Sequence, residues 1–173
     1  LLDAATNQPE KWAPAFVGLA QSWRHHGLYA VDGKKFDIGI QTAMALSDLA
    51  EGGDPLNRTD DETANGNGGL MRAMGIILPA LAGGVWHLSS DTVDLLDSDR
   101  IDVFVASANQ SIPTHAHPIS RACCGLYGVI AYELYRGQPI LEAIDTAFDF
   151  AKTHLQQQEM KDALEKVIQY ENT

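Results

Sequence analysis

Asn65-Gly66-Asn67-Gly68-Gly69-Leu70-Met71-Arg72 is the stretch from which the rest of the chain can be read. Three of its first five residues are glycine and the other two are asparagine, types that tolerate positive φ or close approach of a ligand to the backbone. Downstream, Leu70, Met74, Ile77, Leu78 and Leu81 recur at helical spacing, which predicts a glycine-rich turn running straight into an apolar helix. Backbone N–H groups at such a start point outward from the positive end of a helix dipole, a setting that suits an anion. Asparagine and glycine also make ordinary turns and caps, so the octapeptide alone leaves both readings open.

Moving outward, the chain continues to read as helix. Trp12, Phe16, Leu19 and Trp23 share one helical face between Pro9 and His26, Gly27 stands as a C-terminal stop, and Pro14 is expected to kink or restart the helix. His25 and His26 fall in its last turn, where a cation suits the dipole. Asp37 is positioned to cap a second helix carrying Ile38, Thr42, Ala45, Leu46 and Leu49, ended by Gly52-Gly53, and Gly39 leaves room beside its first turn. Beyond the central loop, Gly83-Gly84 breaks the chain. Ile101, Phe104, Val105 and Ala108 then mark another helix, with Asp97 or Ser98 as its cap. In Ser111-Ile112-Pro113-Thr114-His115-Ala116-His117-Pro118 two prolines fix the backbone around two histidines, predicting a rigid loop that presents imidazole. Ile119, Cys123, Leu126, Ile130 and Leu134 mark a helix from Pro118 to Gly137 whose many small residues predict a central position. Two more helices are indicated, one from Pro139 with Ile140, Ile144, Ala147, Ala151 and Leu155, the other near Met160, Leu164, Val167 and Ile168. No stretch alternates as a strand does. The expected fold is therefore all-α, one domain over residues 1–173 with about seven helices, its function carried by the loops between them.

Composition narrows the function. With 173 residues and 45% hydrophobic content the chain can bury a core without disulfide staples. Lys and Arg number 12 against 23 Asp and Glu, and the net charge of -11 with scattered cations argues against nucleic acid or an anionic membrane as partner. The two cysteines, Cys123 and Cys124, are adjacent, which excludes an ordinary loop-closing bridge and fits the cytoplasm. The apolar stretch after the central loop is broken by Pro79 and glycines and is shorter than a spanning helix requires. The start, Leu1-Leu2-Asp3-Ala4-Ala5, reads as the end of an apolar helix and gives the amino terminus a truncated look.

Two residue sets have the chemistry of a site to consider. Thr59-Asp60-Asp61-Glu62 gathers carboxylates but lacks the alternating oxygen ligands of a calcium loop, and reads as a solvated acidic segment. His115 and His117 with Cys123 or Cys124 offer zinc's preferred ligands, yet no Cys-x-x-Cys or His-Glu-x-x-His spacing accompanies them, so core packing of the cysteines is the stronger reading. No Gly-x-Ser-x-Gly elbow is present for a serine hydrolase.

Three ordered segments, Phe36-Asp37-Ile38-Gly39, then Asn65 to Arg72, then Thr114-His115-Ala116-His117-Pro118, resemble the ADP-ribosylglycohydrolase family. That family includes the dinitrogenase reductase-activating glycohydrolases and ADP-ribosyl-acceptor hydrolases. The resemblance implies an orthogonal multi-helix bundle and hydrolysis of the glycosidic bond between ADP-ribose and an acceptor, with magnesium as cofactor. It carries substrate binding onto Asn65, Gly66, Asn67, Gly68, Gly69, Thr114 and His115. Met71 and Arg72 join them as candidates, with core packing for the first and pairing to an acidic neighbour for the second as the structural alternatives. ADP-ribose, or an ADP-ribosylated protein or small molecule, is the implied partner. The family's magnesium ligands lie in a Thr-Asp-Asp segment and an Asp-x-Asp-Thr segment that flank the region resembled here. The chain is thus expected to be the central portion of such a domain, truncated at both ends, with no metal ligand and no assignable catalytic residue of its own. A catalytically inactive ADP-ribose-binding or structural relative is the alternative.

Overall fold

The computed structural model describes residues 11–56, 65–81, 95–155 and 158–171. Helix α1 spans Trp12–His26, α2 Ile40–Ala50, α3 Gly68–Met71, α4 Met74–Leu81, α5 Leu95–Asn109, α6 Pro118–Tyr135, α7 Ile140–His154 and α8 Gln158–Glu171, with a 3-10 turn at Val31–Gly33. Among the described residues there is no strand, so the all-α expectation holds. No described helix is long and apolar enough to cross a membrane.

Helix α6 is the hub, packing against α5, α7 and α8 as well as against α3 and α4. Its small residues make this possible. A Cβ on Gly125 would stand 2.6 Å from the Phe104 ring of α5, and one on Gly128 would stand 2.2 Å from Ser107 Oγ. The two helices therefore meet at a separation no larger residue permits. Phe104, seated over Gly125, reaches Phe150 of α7 with ring centroids 6.3 Å apart. Ala122, Leu126, Val129, Ala147, Ala151 and Leu164 fill the space around them. Each large apolar side chain in this cluster contributes roughly 1.5–3 kcal/mol relative to exposure. A second cluster, Ala73, Ile76 and Ile77, fastens α4 to the bundle. Toward the far end of α6, Glu133 is wholly buried and paired with Arg100 of α5 at 2.6 Å.

Several local expectations are corrected. Pro14 is the third residue of α1, where no intrahelical acceptor awaits its missing N–H, so it marks the start of the helix and not a kink. Gly27 closes that helix at φ 67, as expected of a left-handed stop. Asp37 does not cap α2: its Oδ1 accepts from the N–H of Ile38 at 2.8 Å, and the helix starts three residues later. The helix expected after the glycine loop is interrupted at Arg72 and Ala73, where successive three-residue turns separate α3 from α4. The buried face is consequently Ala73, Ile76 and Ile77, while Leu70 and Leu78 are exposed. In α5 the buried face is Val103, Phe104, Ser107 and Ala108, with Ile101 and Val105 outward, and Asp97 and Ser98 stand inside the helix instead of before it. Leu1 to Ala5, Thr59 to Glu62 and Gly83-Gly84 lie outside the described residues.

Two glycine substitutions separate packing from propensity. Gly128→Ala should lower stability by about 1–3 kcal/mol through overpacking against Ser107. Gly18→Ala, mid-helix in α1 with nothing within 4 Å of its Cβ position, should raise stability by roughly 0.5–1 kcal/mol. Urea midpoints of the two variants against the parent check both signs.

Candidate functional site

The site is assembled where α5 ends. After Asn109 the chain turns back through hydrogen bonds from Thr114 N and His115 N to Ser111 O, the latter at 2.7 Å. Pro113 and Pro118 restrict the backbone on either side of this turn. His117 caps α6, its Nδ1 accepting from Ile119 N at 3.2 Å. The loop is held as firmly as its prolines predict, but it does not display His115 openly. That imidazole is only 2% exposed and turns one edge to the glycine loop.

Arg72 ties the two loops together. Its Nε donates to Gln110 Oε1 at 3.0 Å, its Nη2 to Gln110 O at 2.8 Å and to Ser111 O at 3.2 Å, and its Nη1 to Thr114 Oγ1 at 2.5 Å. Gln110 Nε2 in turn donates to Gly69 O at 2.8 Å. The guanidinium also lies over the Phe16 ring, 4.9 Å from its centroid, an arrangement that stabilises a cation without a carboxylate. The acidic neighbour considered for Arg72 is replaced by carbonyl, carboxamide and hydroxyl oxygens of the segment that follows α5.

The loop glycines are present for close approach and not for special φ, since Gly66, Gly68 and Gly69 are absent from the positive-φ glycines of the chain. A Cβ on Gly68 would stand 2.7 Å from His115 Cε1, and one on Gly66 2.8 Å from Gln41 Oε1. A Cβ on Gly69 would stand 2.8 Å from Ser111 Cβ. The inner side of the loop thus rests directly on the His115 ring. Gln41 of α2 clamps it there, accepting from Gly66 N at 2.9 Å while donating to Thr114 O at 2.8 Å. Ser120 Oγ donates to Asn65 Oδ1 at 3.0 Å and approaches Gly66 O at 3.2 Å. On the outer side Asn65, Gly66 and Asn67 are exposed.

Beside the loop opens a cleft of about 430 Å³ between α1 and the segment leading into α2. Gly68, Met71 and Arg72 form the wall nearest the loop, facing Phe16, Trp23, Tyr29 and Phe36. Met71 is 76% exposed, so the expectation that it packs in the core does not hold. The face of α1 read from Phe16, Leu19 and Trp23 lines this cleft. Of the sequence-derived candidates, the glycine loop, Met71, Arg72, Thr114 and His115 are brought together; Thr114 and His115 stand behind the loop.

Burial governs the electrostatics. It lowers Arg72 to about 10, which leaves it charged near neutrality. Burial first, and the Arg72 charge second, push His115 down to about 4, so its imidazole is neutral under the same conditions. Burial pushes the Cys124 thiol up to about 12, which suits a packed side chain and not a nucleophile. Among the described residues no group of three or more His, Cys, Asp or Glu side chains could hold a metal ion. The zinc arrangement of His115, His117 and the cysteines is therefore not formed. The described residues do not gather a carboxylate set for magnesium either.

Gln41, Gln110 and Ser120 escaped the sequence reading because a neutral polar residue, inside a helix like Gln41 and Ser120 or just past one like Gln110, carries no periodic or motif signal. Only the partner it meets, distant in the chain, reveals its role.

The His115 environment predicts a pH dependence. The unfolded chain binds this proton near 6.5 and the folded one only near 4, so stability is lost as pH falls through that window. From pH 7.5 to pH 5 the loss from this group amounts to about 2 kcal/mol. In urea titrations at the two pH values, His115→Asn should lack this increment of acid destabilisation relative to the parent.

Comparison with curated proteins and with solved structures finds no match. The model of the family described as ADP-ribosylglycohydrolase matches residues 1–173. With its all-α fold, and with that match running its whole length, the chain belongs to the ADP-ribosylglycohydrolase family.

Proposed function

We propose that this chain acts in hydrolysis of the glycosidic bond linking ADP-ribose to an acceptor, and that Asn65, Gly66, Asn67, Gly68 and Gly69 receive the ADP-ribose. The observation that carries the reading is the glycine loop pressed against the His115 ring. Gly68 and Gly69 begin α3, where the first amides of a helix have no acceptor within their own turn. A diphosphate seeks such amides. Met71 and the aromatic cleft offer apolar surface to the parts of the ligand that are not charged. Arg72 and Thr114 hold the loop from behind.

Substrates on this reading are ADP-ribosylated proteins or small molecules, with free ADP-ribose as the simplest ligand. Magnesium dependence belongs to the same proposal; the ion, when bound, stabilises charge and activates water. Cys123 and Cys124 are both free thiols, which supports a cytoplasmic setting.

Calorimetry with ADP-ribose tests the site. The parent protein should bind, and Gly68→Val should abolish binding, because its side chain would start 2.7 Å from His115 Cε1 and drive loop and ring apart. If a folded Gly68→Val protein, checked by helical circular dichroism and melting, bound like the parent, the loop would not be the site. Release of ADP-ribose from an ADP-ribosylated acceptor, with and without a chelator, tests the reaction. Binding without release in either condition would reduce the reading to recognition alone.

A further inference from the structure

Thr114 has one hydroxyl proton and two neighbours that want to use its oxygen. Arg72 Nη1 donates to Thr114 Oγ1, and His115 Nδ1 lies 2.7 Å from the same oxygen. A guanidinium has only donors, so the hydroxyl proton cannot point toward it. If Nδ1 carried a hydrogen, Thr114 Oγ1 would accept twice, leaving its own proton to find another acceptor in a place where the residue is 3% exposed. A buried polar hydrogen without an acceptor is the costly outcome. The opposite arrangement satisfies both Thr114 Oγ1 and His115 Nδ1: Arg72 donates to Thr114, Thr114 donates to His115 Nδ1, and the ring hydrogen resides on Nε2. The positive charge also polarises the hydroxyl in that direction.

We infer that Arg72 and Thr114 are positioning residues that lock His115 as its Nε2–H tautomer, making the imidazole a donor toward a ligand oxygen at the glycine loop. Nε2 stands 2.9 Å from the Cβ position of Gly68 and 3.2 Å from that of Gly66, so the ring hydrogen lies at the edge that meets the glycine loop. A neutral ring able only to donate at this edge selects an acceptor oxygen, such as a phosphoryl or sugar oxygen, and rejects a donor. The ligand part of the inference rests on the ADP-ribose reading; the tautomer part does not.

Nitrogen-15 NMR of the imidazoles in the whole protein, without ligand, reads the tautomer directly. The parent should show His115 with a pyrrole-type Nε2 and a pyridine-type Nδ1; the reverse assignment, or an even mixture, overturns the inference. Thr114→Val, close to isosteric, should shift the ring toward a mixture and weaken ADP-ribose by roughly 5- to 10-fold, the value of about one neutral hydrogen bond. Thr114→Ser, which keeps the hydroxyl, should restore both the spectrum and the affinity. A Thr114→Val protein that keeps the parent's tautomer would show that the relay does not set it. If Thr114→Val fails to fold, the parent and Thr114→Ser spectra still decide the tautomer. A parent that shows the Nε2–H form and its dependence on Thr114, yet has no affinity for ADP-ribose, supports the lock and removes the ligand reading.

Discussion

The arrangement depends on one half-buried cation. Arg72 stands where α3 gives way to α4, and its guanidinium donates to the Gln110 carbonyl just past the end of α5 and to the Ser111 carbonyl, which also accepts from Thr114 N and His115 N. Buried arginine is usually matched by a carboxylate; here the match is a set of dipoles and the face of Phe16. The difference has a chemical consequence. A carboxylate would cancel the charge, whereas neutral acceptors leave it in force beside His115, where it helps to keep the imidazole uncharged. The same residue thus fastens two loops and sets the electrical character of the space between them.

Around that cation the glycines act through what they omit. Gly68 and Gly69 let a backbone rest on an imidazole and on Ser111, and Gly125 and Gly128 let α5 rest on α6. The two sets are linked through the chain, because α5 and α6 bound the loop that carries Thr114 and His115. Their close packing places the start and finish of that loop, and Arg72 and Gln41 place its middle.

Much of the fold was legible because apolar spacing reports which face of a helix is buried, and α6 shows this best: its small residues pointed to a central position and it is central. Legibility failed where a side chain's tertiary partner outweighed local pattern. Leu70, Ile77 and Leu78 fit one helical stripe, but Arg72 turns the chain, and Ile77 is buried with Ala73 and Ile76 while Leu70 and Leu78 are exposed. The candidate loops were legible because glycine and proline mark unusual backbone; the reason for the glycines was not, since close approach to His115 and positive φ leave the same residue in the sequence. Gln41 was invisible for a further reason: its two partners lie 25 and 73 residues away.

The clamping of the Thr114–His115 loop bears on how a ligand is received. Its carbonyls at Gln110, Ser111 and Thr114 already serve protein donors, and prolines restrict its torsions at Pro113 and Pro118. Ordering such a loop consumes conformational entropy once, during folding, and none remains to be surrendered when a ligand arrives. The opposite wall differs, with Phe36 94% and Tyr29 70% exposed to solvent. On the proposed reading, recognition at this cleft would be thermodynamically asymmetric: selectivity for polar groups would reside in a surface already frozen, and whatever ordering entropy association demands would be drawn from the aromatic side.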